Sequence, residues 1–164
     1  MCRHRIRRAR PERLDVRLHT HLAEDRDEDE YCLERFGRRP VDQFEEVGWL
    51  TPRAWVAHCI YPDDAEIARL GAAGVGVAHC PSSNMILGNG LVCPVRDMRA
   101  AGVPVGLGCD GSSSNDIASL WLESRTALLL GKVRGGGGRD VGPRRAGRGD
   151  PRGRGVPRAD RGDR

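Results

Sequence analysis

The sequence predicts an α/β protein built from about four consecutive βα units, and three observations predict it. Short runs rich in Val, Ile, Leu and Ala recur between residues 14 and 130, apolar on both faces as helix-covered parallel strands are. Helix-length amphipathic runs separate them, opened by cap residues and closed by glycines. Polar clusters gather at the C-terminal end of each apolar run, where barrel enzymes place their chemistry. Repeated βα units fit an open doubly wound sheet or a (β/α)8 barrel. The phosphate-cradling G-x-G-x-x-G is absent after the first run, so the expectation is a partial (β/α)8 barrel.

The expected strands are Val16–Leu22, Ala54–Ile60, Gly74–Cys80 and Val103–Cys109. Helices are expected over Asp27–Phe36 and Val41–Val47, stopped by Gly37 and Gly48. Asp63–Ala72 follows the second strand, with Asp63 and Glu66 spaced as a capping box and Gly74 at the far end. Pro94–Ala101 opens on a proline and closes before Gly102. Ile117–Leu130 follows a Ser-Ser-Ser-Asn-Asp run rich in cap residues.

Composition divides the 164 residues into three parts. Residues 1–13 are an Arg-rich, poorly structured start, 14–133 the partial barrel, and 134–164 a disordered Gly/Arg/Pro tail without Leu, Ile, Met or aromatic residues. The tail carries +6 and the first seventeen residues +5, so the middle is acidic in a chain of net +4. No apolar run approaches the ~18–20 residues of a membrane span, and no secretory signal is read, so the expected location is cytoplasmic. The six cysteines form no C-x-x-C pair and read as free thiols. An Arg/Gly tail lacking Phe and Tyr predicts at most weak, non-specific nucleic-acid binding.

Chemistry concentrates at the strand ends: His21 and Glu24, then His58-Cys59, then His79-Cys80-Pro81-Ser82-Ser83-Asn84, then Cys109-Asp110-Gly111. In an ideal strand His19 and His21 share a face, which leaves a His-x-His metal pair open. Imidazole to hold a metal, with a carboxylate nearby to move protons, is the minimum equipment for metal-assisted hydrolysis.

The segments HTHLAE, VAHC, VAHCPSSNM and GLGCDGSSSND, in this order with helix-sized gaps, resemble the metal-dependent amidohydrolase superfamily. The likeness is to its nucleobase and aminotriazine deaminase branch, most of all 8-oxoguanine deaminases, and covers about Leu14 to Lys132. It implies strands five to eight of the family barrel. By it, His21 and Asp110 are metal ligands, with zinc expected and iron also compatible. Glu24 shuttles protons, His58 polarises the group under attack, and Asp110 also takes a proton from the water. Ser83 and Asn84 lie along the substrate, and His79 either joins them or holds the strand-seven loop. The family's strand-one His-x-His has no counterpart upstream of residue 14, so His19 or His58 would have to bend in to complete the ligand set.

The implied function is hydrolytic deamination of a small nucleobase-like heterocycle, releasing ammonia. The chain is expected to be a truncated copy with little activity alone, its tail resembling a GC-rich gene translated out of frame. Two alternatives stand beside it: an inactive or complementing half-barrel, forming homo-oligomers or aggregates through its open interior, and a nucleic-acid-binding protein acting through its tail.

Overall fold

A computed structural model describes residues 15–135. Four parallel strands, β1 (Leu18–Leu22), β2 (Ala54–His58), β3 (Gly76–His79) and β4 (Val105–Leu107), form one sheet in the order β1-β2-β3-β4. Among the described residues the order follows the sequence, with no reversal of the kind that creates the switch point of a doubly wound sheet. Register pairs His21 with Ala57, Val56 with Val77 and Ala78 with Gly106. β1 and β4 each have a single strand neighbour among the described residues. The Arg-rich start up to residue 14 and the tail from residue 136 onward, with their expected disorder and nucleic-acid binding, lie outside the described residues.

Helices connect the strands: α1 (Arg26–Phe36), α2 (Pro40–Glu46), α3 (Asp64–Ala73), α4 (Pro81–Ile86), α5 (Val95–Ala100) and α6 (Leu120–Gly135). Their boundaries have local causes. Asp63 accepts from the Glu66 amide at 2.8 Å while the Glu66 carboxylate accepts from the Asp63 amide at 2.8 Å, so the expected capping box opens α3. Gly37 and Gly74 close α1 and α3 in the left-handed conformation, at φ +68° and +67°, that other residues adopt only under strain. Where Gly71 of α3 passes α5's end, a Cβ would lie 2.0 Å from the Ala101 carbonyl oxygen; only glycine allows that approach.

One face of the sheet is packed. Val56 and Val77 meet Ile67 and Leu70 of α3, Met98 of α5, and Val41 and Phe44 of α2 in a continuous apolar core. Cys59, Cys80 and Cys93 are buried free thiols, with burial the main cause that pushes Cys80 up to about 11 and Cys93 to about 12. The other face carries His19 and His21 from β1, Trp55 from β2 and the small residues Gly76, Ala78 and Gly106.

Three expectations change. The strands are shorter than read: β1 starts at Leu18, β2 ends at His58, β3 spans Gly76–His79 and β4 Val105–Leu107, and at the end of β2 the chain turns left-handed, with His58 at φ +68° and Cys59 at +48°. Pro81–Ile86, read as a loop, is a short helix with proline at its first turn. The last helix starts at Leu120 rather than Ile117, since Ala118 at φ +46° interrupts it, and runs through Gly131 to Gly135. No helix of the described residues is long and apolar enough to cross a membrane.

Candidate metal and acid-base site

The site stands at the C-terminal ends of β1, β2 and β4. His21 projects from the penultimate residue of β1, on the open face of the sheet. His58 ends β2 in register with Leu22, so strict alternation would turn it toward the covered face with Val56. Its positive φ swings the side chain about the N–Cα bond, and the two imidazoles meet edge to face with centroids 4.7 Å apart. Asp110, also at positive φ, enters from the loop after β4. A non-glycine residue held at positive φ costs of order 1–3 kcal/mol and persists where the surroundings over-determine it.

The surroundings do so by hydrogen bonding. His58 is fully buried, and its Nδ1 lies 2.7 Å from Oδ1 of Asn84 in α4. That acceptor assigns the proton to Nδ1 and leaves the lone pair on Nε2. Nε2 has no hydrogen-bond partner among the described residues. It faces Glu24 Oε1 at 3.6 Å and Asp110 Oδ2 at 3.8 Å. A buried lone pair opposed to two carboxylate oxygens is repulsive unless a cation or a proton lies between them.

Asp110 is gripped from the other side. Oδ2 accepts from Ser83 Oγ at 2.6 Å and from Ser114 Oγ at 2.9 Å, while Oδ1 is 3.9 Å from His21 Nε2. Burial works to raise the Asp110 pKa, but the two hydroxyls, the Gly111 amide and His58 together hold it below the usual carboxylate value. Glu24 closes the ring, with Oε2 3.5 Å from His21 Nδ1 and its own backbone N–H donating to Glu28 Oε2 at 2.9 Å.

His21, His58 and Asp110 each offer one ligand atom, and these atoms lie within 4.8 Å of one another. Two imidazole nitrogens and a carboxylate oxygen suit zinc or iron, and the unpartnered Nε2 of His58 is the feature such an ion would satisfy. His58 is thus brought into the ligand cluster in addition to the expected His21 and Asp110. His19 is not: its ring stacks on Trp55 at 3.5 Å, Nδ1 lies 3.2 Å from the Trp55 carbonyl oxygen, and the His21 ring is 6.2 Å away.

Ser83 and Asn84, expected along the substrate, are buried and bonded to Asp110 and His58. His79 is 3% exposed at the end of β3, outside the cluster, with Nδ1 unpartnered. Burial foremost pushes its pKa down to about 4, His58 adding to this and Glu123 opposing it. Sequence reasoning missed Ser114, whose neighbours read only as a string of cap residues; its four-residue spacing from Asp110 was the available signal.

Comparison with known proteins identifies the family. The amidohydrolase family model matches residues 6–144. An 8-oxoguanine deaminase of Pseudomonas aeruginosa is 57% identical over 124 residues, 76% of this chain and 27% of that relative. A 5-methylthioadenosine/S-adenosylhomocysteine deaminase of Moorella thermoacetica is 48% identical over 119 residues, 73% of this chain and 28% of its own length. Among solved structures, a zinc-bound adenosine deaminase of Xanthomonas campestris superposes with a TM-score of 0.73 at 32% identity. It covers 76% of this chain and 28% of that one. A triazine hydrolase variant superposes with a TM-score of 0.72 at 35% identity, covering 76% and 27%. The chain therefore spans about a quarter of the length of the relatives it matches. A sequential parallel sheet, a His/His/Asp cluster at its C-terminal edge and a model match over most of its length place one conclusion beyond the fold: this chain belongs to the amidohydrolase family.

Proposed function

We propose that the chain carries the metal-binding and proton-transfer side of a hydrolytic deaminase acting on a purine-like heterocycle. The observation that carries this reading is the buried, unpartnered Nε2 of His58, turned toward Glu24 and Asp110 beside His21. Identity to the 8-oxoguanine deaminase exceeds that to the methylthioadenosine/S-adenosylhomocysteine deaminases, which favours an oxidised purine as substrate. In this reading the four strands are the fifth to eighth of the family barrel.

His21, His58 and Asp110 would hold a divalent ion, for which zinc is the first choice. When bound, it supplies Lewis acidity and makes a water nucleophile available near neutral pH. Glu24, reaching His21 with one oxygen and His58 with the other, is placed to take a proton from that water and deliver it to the departing ammonia. Ser83 and Ser114 keep Asp110 ionised and oriented, and Asn84 keeps the His58 proton on Nδ1. Ser83 and Asn84 then act on the substrate through the residues they hold.

The reading gives this chain low activity by itself. Among the described residues its one His-x-His leaves His19 on Trp55, and both edges of the sheet lack a second strand. A complementing half-barrel, completed by further strands, is the second reading that these edges favour.

The test pairs zinc stoichiometry with ammonia release from 8-oxoguanine, for the unmodified chain and for Glu24→Gln. One zinc per chain in both, with ammonia release detectable in the first and lowered ~10²–10⁴-fold in the second, is the expected result. Absence of zinc uptake by the unmodified chain would refute the metal reading.

A further inference from the structure

We propose that Glu123 is a positioning residue, which locks together the two segments that grip Asp110. The proposal rests on the metal reading above. Glu123 lies in the first turn of α6 and is 1% exposed. It is the buried residue of that helix, whereas Trp121, Leu128 and Val133 face outward. A carboxylate in the one buried position of this helix calls for partners, because an unpaired buried charge is strongly unfavourable.

Both of its oxygens are taken. Oε2 accepts the Ser82 N–H at 3.0 Å, a donor in the first turn of α4 that has no partner within its own helix. Oε1 accepts from Nδ2 of Asn115 at 2.8 Å. The same Asn115 amide donates to the Cys109 carbonyl at 2.9 Å, and its Oδ1 accepts the Ala118 N–H at 3.3 Å.

The two segments so joined are those that hold the candidate ligand. Ser83 follows Ser82 and donates to Asp110; Ser114 precedes Asn115 and donates to the same oxygen; Cys109 precedes Asp110. Glu123 is therefore one residue removed from each hydroxyl on Asp110. Without it, the start of α4 and the loop after β4 lose their shared anchor. The Asp110 backbone, held at φ +62°, would relax toward a commoner conformation and carry the carboxylate away from His21 and His58.

The test measures zinc affinity by competition with a chromophoric chelator, together with urea unfolding of the metal-free protein. It compares the unmodified chain with Asp110→Asn, Glu123→Gln, Asn115→Leu and Glu66→Gln. Glu66 is an equally buried carboxylate, but it pairs with Arg39 away from the cluster. Glu123→Gln and Asn115→Leu are each expected to weaken zinc binding ~10–100-fold, the usual effect of losing a support behind a ligand. The double variant should lose less than the sum of the two, since both interrupt the same Ser82–Glu123–Asn115–Cys109 connection. Glu66→Gln should lose stability while zinc affinity stays within about twofold. If Asp110→Asn binds zinc as tightly as the unmodified chain, the metal reading itself is wrong. If Asp110→Asn is weakened and Glu123→Gln is not, the role given to Glu123 is wrong alone. Additive losses in the double variant, or a Glu66→Gln loss equal to that of Glu123→Gln, would also overturn it. Should Glu123→Gln fail to fold, Asn115→Leu decides the matter by the same comparison.

Discussion

Nδ1 of His58 lies 2.7 Å from Oδ1 of Asn84, and that one bond aims the opposite nitrogen between Glu24 and Asp110. Asn84 is buried in α4, 26 residues along the chain from His58, yet it decides the tautomer of His58. Removing it leaves a buried N–H without an acceptor. Asn84→Ala is therefore expected to cost about 1–3 kcal/mol in urea unfolding. Its zinc affinity should fall ~10–100-fold in a chelator competition.

His58 itself separates two roles. As a ligand its loss empties the site: His58→Ala should lose zinc stoichiometry in the purified protein, measured by elemental analysis, along with ammonia release. Zinc retained at full stoichiometry, with only ammonia release lost, would return His58 to the polarising role that the family resemblance implies.

His79 makes stability depend on acidity. Its folded-state pKa is about 4 against an ordinary 6.5, burial being the largest cause, so the unfolded chain binds a proton that the folded chain excludes. The stability is whole above about pH 6.5, declines as pH falls from there toward 4, and levels off below, a total of order 3 kcal/mol. Urea midpoints of chelator-treated protein across this range should show the decline, and His79→Gln should flatten it.

Arg39 is the central cation of the helical layer. Its guanidinium donates to both Glu66 oxygens at 2.8 and 3.0 Å, to Asp29 at 2.8 Å and to the Tyr61 carbonyl at 2.8 Å, tying α1, α2 and α3 to the end of β2. Arg39→Ala leaves Glu66 buried without its counter-ion and is expected to cost about 3 kcal/mol in urea unfolding. Arg39→Lys should recover little of this, because a single ammonium cannot reproduce the planar fork.

Much of the architecture was legible in the residues. Four apolar runs became four parallel strands in chain order, and Asp63, Glu66, Gly37 and Gly74 marked helix ends by chemistry that acts within a few residues. His21, Glu24, His58 and Asp110 stood out because they follow apolar runs, and the sheet brings those run ends together. Pro81–Ile86 was missed because a six-residue helix is too short to display a period, although Pro81 announced its first turn.

What the sequence by itself determined was the order of the strands, the caps of the helices and the identity of the polar groups near their ends. Each of these depends on side-chain chemistry and spacing along the chain. Only the tertiary structure decided which of those groups meet. His19 and His21 are equivalent in a strand, but Trp55 on the neighbouring strand captures one of them. His58 belongs by alternation to the covered face, and a left-handed φ supported by Asn84 brings it to His21. Ser83 and Ser114 converge on Asp110 from positions 27 and 4 residues away, and Glu123 bonds their neighbours Ser82 and Asn115. Such convergence depends on strain and burial imposed by neighbouring elements, which no local pattern encodes.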